Sequence, residues 1–364
     1  MQGDGAIRVL VVDDSAVMRK LISNILDKEP GIEVVATAID GDFALNKIDQ
    51  IKPDVITMDI DMPRMDGITA LGRIVAKHSV PVVMLSSLTS AGAAMTMQAL
   101  EAGAVDFVCK PKSIADVSKV GEELILKVKG AARIKHGVRY DISSRLNFRS
   151  RKERSHKSGA GSSKIVAIGA SSGGPYALRA LLPRIPRDFG AGIVVVQHMP
   201  ENFTTMLAHW LDEICEIDVK EASSGDLVTP GTALIAPGGY HLRLKRRLAG
   251  GEVILDRSDP VNGHMPSVEV LFRSIAEEYG RDATAVIMTG MGNDGSVAIG
   301  EIKKAGGRTV AQDEESCAVY GMPRLAVDNG FVESVIPLSE IAEYLVSEIN
   351  EHSEIERRGS AESR

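Results

Sequence analysis

The chain has 364 residues, of which 44% are hydrophobic, 25% charged and 4% aromatic, with a net charge of −7. These proportions exclude a globally disordered chain, and the length suits two domains of ~100–200 residues each. Residues 1–128 carry −5, residues 129–163 carry +8 and residues 164–364 carry −10. Neither large block therefore suits a nucleic-acid backbone. Cys109, Cys215 and Cys317 lie far apart and form no CxxC, which argues against a disulfide framework or zinc knuckle and fits a reducing cytosol. Asp4, Asp13 and Asp14 interrupt the N-terminus, so no signal peptide is expected. No run of 18 apolar residues exists, so the chain is expected to be cytoplasmic and not membrane-inserted.

The first block alternates short Val/Ile-rich runs with amphipathic stretches. The runs 7–12, 33–38, 54–58, 81–85 and 105–109 predict strands of a parallel sheet buried on both faces. Between the first two, Val17, Met18, Leu21, Ile22, Ile25 and Leu26 share one helical face, with Ser15 as N-cap. Five such units over about residues 6–128 predict a doubly wound α/β domain. Residues 129–163, rich in Ser, Gly and basic side chains, predict a flexible basic linker.

Regular elements resume at 164–169 and continue through strands at 192–197, 232–237, 241–245, 252–256, 285–290 and 308–313. Helices fall between several of them. This predicts a second α/β domain over 164–350, with a mostly parallel sheet and an antiparallel excursion at 232–256. The polar tail 351–364 is expected to be disordered.

In a doubly wound sheet, ligands bind beyond the carboxyl ends of the strands. Asp13 and Asp14 follow the first strand of the N-terminal domain and Asp59 the third, so the three acids should converge. Crowded carboxylates stay ionised together only with a cation, and an all-oxygen set suits Mg²⁺. Ser86 and Lys110 follow the fourth and fifth strands and add a hydroxyl and an ammonium to the rim. A metal and a lysine can neutralise a phosphoryl group arriving on a carboxylate, and Asp59, central and alone on its strand, is the natural acceptor. Each Asp singly reads as a turn former or cap; the set in strand order is far more specific.

The pattern DDS…MDIDMPRMDG…SS…KP resembles the receiver domain of two-component response regulators over about residues 6–128. The resemblance implies that Asp59 accepts a phosphoryl group from a histidine kinase. It also implies that Asp14, Asp59 and the backbone carbonyl of Asp61 ligate Mg²⁺, that Ser86 and Lys110 contact the phosphoryl group, and that Phe107 is the switch aromatic.

In the second domain the first strand runs into GASSGGP (169–175). Such a turn can cradle a phosphate at a helix N-terminus, or expose a serine in a G-x-S-x-G turn. No GK[ST] follows, which excludes a Walker A loop. A serine nucleophile needs a base and an orienting acid. His198 follows a buried strand and is the best-placed base; His209 sits mid-helix, His241 begins a strand and His264 lies in a loop. Asp294, after a β-run and a Gly-rich turn able to aim N–H groups at an oxyanion, is the leading acid, with Asp313 as rival.

The segments GASSGGP, QHMP, APGGYH, NGHMPSVEVLF, TGMGNDG and AQDEESCAVYGMP resemble the catalytic domain of chemotaxis protein-glutamate methylesterases, the CheB family, over about 164–350. The resemblance implies hydrolysis of glutamate γ-methyl esters on chemoreceptors with release of methanol, and deamidation of certain receptor glutamines. It makes Ser171 the nucleophile, His198 the general base and acid, and Asp294 the orienting carboxylate. Met291 becomes a backbone oxyanion donor and Ser172 a supporting residue. It implies Mg²⁺ for receiver phosphorylation and no cofactor for ester hydrolysis. The domain order then predicts that the unphosphorylated receiver covers the face bearing Ser171 and that phosphorylation at Asp59 loosens it. A transcriptional regulator is disfavoured by charge and by the lack of a helix-turn-helix pattern after the linker.

Overall fold

In the computed structural model, residues 5–111, 113, 116–134, 162–248 and 250–362 are described, with backbone alone from 351 onward. The chain divides into two compact units, 1–138 and 139–364.

The first unit has five strands, β1 (Ile7–Val12), β2 (Ile32–Ala38), β3 (Val55–Asp59), β4 (Val82–Ser86) and β5 (Asp106–Cys109), in the all-parallel order β2-β1-β3-β4-β5. This is the flavodoxin-like order, with a topological switch between β1 and β3. β3 and β4 are buried along their whole length, which explains their unbroken apolar runs. Helix α1 (Ala16–Asp27) is capped by Ser15, whose hydroxyl accepts the Met18 N–H at 3.3 Å. It buries Ile22 and Leu26 against Val9 and Val11 of the sheet. Helices α2 (Gly41–Ile51), α3 (Gly67–Lys77), α4 (Ser90–Glu101) and α5 (Val117–Arg133) complete the layers.

α5 reaches Arg133, so residues 129–133 extend a helix where the sequence predicts linker. The apolar face continues through Val128 and Ala131, both buried. Residues 135–161, most of the expected linker, lie outside the described residues.

The second unit is built on β6 (Ile165–Ala170), β7 (Gly192–Gln197), β8 (Asp218–Glu221), β10 (Thr232–Ile235), β13 (Ala283–Ile287), β14 (Arg308–Gln312) and β15 (Ser334–Ile336). They pair in parallel in the order β15-β14-β13-β6-β7-β10-β8. A separate antiparallel sheet joins β11 (His241–Arg247), β12 (Gly250–Asp256) and β9 (Leu227–Val228).

Two expectations need correction. The antiparallel excursion does not include 232–235, which pairs in parallel between β7 and β8; Ala233, Leu234 and Ile235 are buried there. The tail is not irregular: α11 (Leu338–Glu362) runs through it. Glu, Arg and Ala favour helix without an apolar face, so a polar tail can continue a helix that starts on a buried one.

Candidate active site and phosphoacceptor site

β6 lies between β7 and β13, and the strand order reverses at β6/β13, the position where doubly wound sheets bind ligands. Each of these strands ends in one of the singled-out segments. Ser171 follows β6. Its N–H donates to the Thr289 carbonyl at 3.0 Å on one side. On the other, its carbonyl accepts from Gln197 Nε2 at 2.9 Å, at the end of β7. The His198 N–H donates to the Ala170 carbonyl at 3.1 Å. These hydrogen bonds carry Ser171 and His198 out of the sheet at the same level.

Two glycines let the segments close. Gly173 caps α6 (Gly174–Leu181) at φ 76°, a left-handed conformation that costs glycine nothing. Gly290 packs its Cα on the serine: a Cβ there would lie 2.8 Å from the Ser171 Cβ. Met291 follows this close approach directly in the chain, and its N–H has no acceptor among the described residues. Met291 itself is exposed.

Asp294 is buried at the N-terminus of α8 (Val268–Tyr279). One oxygen, Oδ2, accepts from His198 Nε2 at 2.8 Å and from the Val268 N–H at 2.6 Å. The other, Oδ1, accepts from Ser267 Oγ at 2.7 Å, Asn262 Nδ2 at 2.9 Å and the Glu269 N–H at 3.3 Å. Burial alone would raise this carboxyl. The His198 hydrogen bond and charge, with Asn262 and Ser267, outweigh it and hold Asp294 down at about 2. An ionised Asp294 can only accept, so His198 carries its proton on Nε2. Nδ1 is then the basic nitrogen, and it is buried without a hydrogen-bond partner.

The structure brings His198 and Asp294 together and places Ser171 on the neighbouring strand end. The Ser171 hydroxyl makes no hydrogen bond among the described residues, and catalytic contacts of this kind often tighten only around substrate. The rival Asp313 is turned away to cap Ser316, 3.0 Å from its N–H. Ser172 is buried, and its carbonyl accepts from Thr289 Oγ1 at 2.9 Å. His209 lies within α7 (Phe203–Ile214), and His241 points Nε2 at the Asp259 carbonyl, 3.1 Å away.

The sequence reading left His264 in a loop. Its ring lies on that of His198, with centroids 3.7 Å apart and planes 10° from parallel. It likewise missed Asn262 and Ser267 as partners of Asp294. The Asn-Gly pair at 262–263 signals a tight turn, but no local signal says what the turn faces.

In the first unit, Asp13, Asp14 and Asp59 converge, with one carboxylate oxygen from each lying within 4.8 Å of the others. Lys110 Nζ is 2.7 Å from Asp59 and 3.0 Å from Asp13. Burial, reinforced by Asp13, pushes Asp59 up to about 6 despite Lys110. Burial would lower Lys110, but the two carboxylates outweigh it and raise it. Asp13 Oδ2 is buried and faces only the Lys110 ammonium, so three clustered carboxylates share one cationic side chain, a donor set that suits an oxygen-seeking cation. Asp61 is exposed, two residues beyond Asp59.

Ser86 and Phe107 are both buried. The Ser86 hydroxyl is engaged with α4 rather than with Asp59: it accepts from Thr96 Oγ1 at 2.6 Å and donates to the Gly92 carbonyl at 3.2 Å.

Comparison with known proteins finds a matching family for each unit. The CheB methylesterase family profile matches residues 166–345, and the response regulator receiver domain profile matches residues 9–120. A protein-glutamate methylesterase/protein-glutamine glutaminase of Koribacter versatilis is 48% identical over 346 residues, covering 93% of this chain and 95% of the relative. One from Syntrophus aciditrophicus is 46% identical over 345 residues, covering 93% and 98%. The crystal structure of the Thermotoga maritima CheB methylesterase catalytic domain is 44% identical, with a TM-score of 0.50, covering 50% of this chain and 97% of that one. No helix among the described residues is long and apolar enough to cross a membrane. The chain belongs to the protein-glutamate methylesterase/protein-glutamine glutaminase family, joining a response regulator receiver domain to a CheB methylesterase domain.

Proposed function

We propose that the chain hydrolyses glutamate γ-methyl esters of chemoreceptors, and deamidates particular receptor glutamines, with Ser171, His198 and Asp294 as its triad. The observation that carries the assignment is the His198–Asp294 pair, whose free basic nitrogen is buried at a strand end adjoining that of Ser171. His198 Nδ1 takes the Ser171 proton as Oγ attacks the ester carbonyl. The N–H of Met291 receives the developing oxyanion. The tetrahedral adduct collapses as His198 returns the proton to the departing methoxide, so methanol leaves and an acyl-serine remains. Water, deprotonated by the same nitrogen, then releases the glutamate. With a glutamine substrate the leaving group is ammonia. Ser172 borders the nucleophile and supports the loop through its carbonyl bond to Thr289.

Receiver domains are phosphorylated on aspartate in a Mg²⁺-dependent way. In this chain Asp59 is the acceptor for a histidine kinase, and Asp13, Asp14, Asp59 and the Asp61 carbonyl would hold the cation, which would supply positive charge against the incoming phosphoryl group. Lys110 and Ser86 contact its oxygens. Phosphorylation activates the hydrolase; the partners are a histidine kinase and the cytoplasmic part of methylated receptors.

The test is methanol release from methylated receptor by the full chain and by Ser171→Ala. Loss of release with an unchanged melting transition supports the triad. Retained release refutes it.

A further inference from the structure

Val261 and His264 exchange both backbone hydrogen bonds, at 3.1 and 3.0 Å. The residues between them, Asn262 and Gly263, have φ of 53° and 77°. This is a two-residue turn with both central positions left-handed, which favours Asn-Gly. From this turn, Asn262 Nδ2 donates to Asp294 Oδ1 at 2.9 Å, and the His264 ring lies face to face on His198 at 3.7 Å. A single turn thus holds both members of the acid–base pair.

The pair needs such a hold. His198 has one hydrogen-bonded ring nitrogen, Nε2, and its Nδ1 has no partner. A ring held at one nitrogen can rock about that bond and swing the other nitrogen away from the serine. A face-stacked neighbour opposes this rocking because tilting the ring out of plane loses contact over its whole face. Asn262 does the equivalent for Asp294, fixing the oxygen that His198 does not use.

We propose that the Val261–His264 turn is a positioning clamp for the reaction, with His264 holding the plane of the His198 base and Asn262 the rotation of Asp294. The proposal rests on the triad reading above. His264 acts through His198 and touches no reacting atom. Its contribution belongs to the chemical step and not to substrate binding.

The experiment measures methanol release from methylated receptor by the full chain. His264→Ala should lower kcat about tenfold, the rate equivalent of one aromatic stack. KM should stay within about twofold, because uniform binding is untouched. His264→Phe, which keeps a flat ring but no titratable nitrogen, should restore most of kcat. Asn262→Ala should lower kcat in the same way, without a change in KM. The proposal is overturned if His264→Ala leaves kcat unchanged, if it raises KM instead, or if His264→Phe is as slow as His264→Ala while both keep the wild-type melting transition. Ser171→Ala in the same assay separates the two readings. If it still releases methanol, the triad fails and the clamp with it. If it is inactive while His264→Ala is fully active, only the clamp fails.

Discussion

His198 Nε2 donates a hydrogen bond to Asp294 Oδ2 at 2.8 Å, and this one contact decides which ring nitrogen carries the proton. Asp294 is able to play that part because helix α8 starts on it: the Val268 and Glu269 N–H groups both point at the carboxylate. The anion is held at a helix N-terminus, where the peptide dipoles favour negative charge.

Asp294→Asn should therefore fail in two separable ways. An amide in this place can donate to His198 and favour the wrong tautomer, so kcat should fall by about 10³–10⁴-fold. The stability effect follows from the low value of the carboxyl, about 2 in the fold. Its ionised form contributes stability that is complete above the unfolded value near 4 and is lost as pH falls towards 2. In urea unfolding followed from pH 5 down to pH 2, the wild type should lose about 2 kcal/mol more than Asp294→Asn. Parallel pH curves for the two proteins would contradict this.

Gly290→Ala tests the close approach of the two strand ends. The new methyl would meet the Ser171 Cβ at 2.8 Å and press on the Met322 sulfur. Overpacking of this kind costs about 1–3 kcal/mol. Displacing the Met291 N–H should also lower kcat by about 10²-fold, the effect of an oxyanion donor moved out of place. Melting temperature and methanol release read the two effects independently.

Thr96 holds Ser86 in its α4-facing position through the 2.6 Å bond between their hydroxyls. A phosphoryl group on Asp59 must compete with that bond for Ser86. Thr96→Ala should make phosphorylation by a small-molecule phosphodonor about fivefold more favourable, the equivalent of one neutral hydrogen bond. Thr96→Ser keeps the hydroxyl and should behave as wild type. Equal phosphorylation of all three proteins at limiting donor would show that Ser86 moves freely.

Asp59→Asn removes the acceptor. Methanol release by the wild type should rise with phosphodonor and Mg²⁺, while Asp59→Asn should stay at the basal rate under both conditions. A phosphodonor response that survives in Asp59→Asn would place the acceptor elsewhere.

The acidic set of the receiver was legible because it depends on strand ends. Asp13, Asp14, Asp59, Ser86 and Lys110 each follow an apolar run, and a parallel sheet delivers the ends of all its strands to one edge. The same rule picked out Ser171, His198 and Asp294. Edge elements were not legible: β8, β9 and β15 are short and only partly buried, so their apolar signal is weak. The helical tail was missed for the opposite reason, since α11 continues into sequence with no apolar face.

By itself, then, the sequence determined two α/β units, the strand ends and the reactive groups on them, because apolar runs and glycine turns act over a few residues. The tertiary structure alone decided the fine chemistry. It turned Nε2 of His198 to Asp294, laid the His264 ring on that of His198, pointed Asn262 at Asp294 and tied Ser86 to Thr96. Those relationships join residues distant along the chain and depend on side-chain direction. Only packing fixes that direction, because a hydrogen bond or a ring stack requires placement to within a few tenths of an ångström.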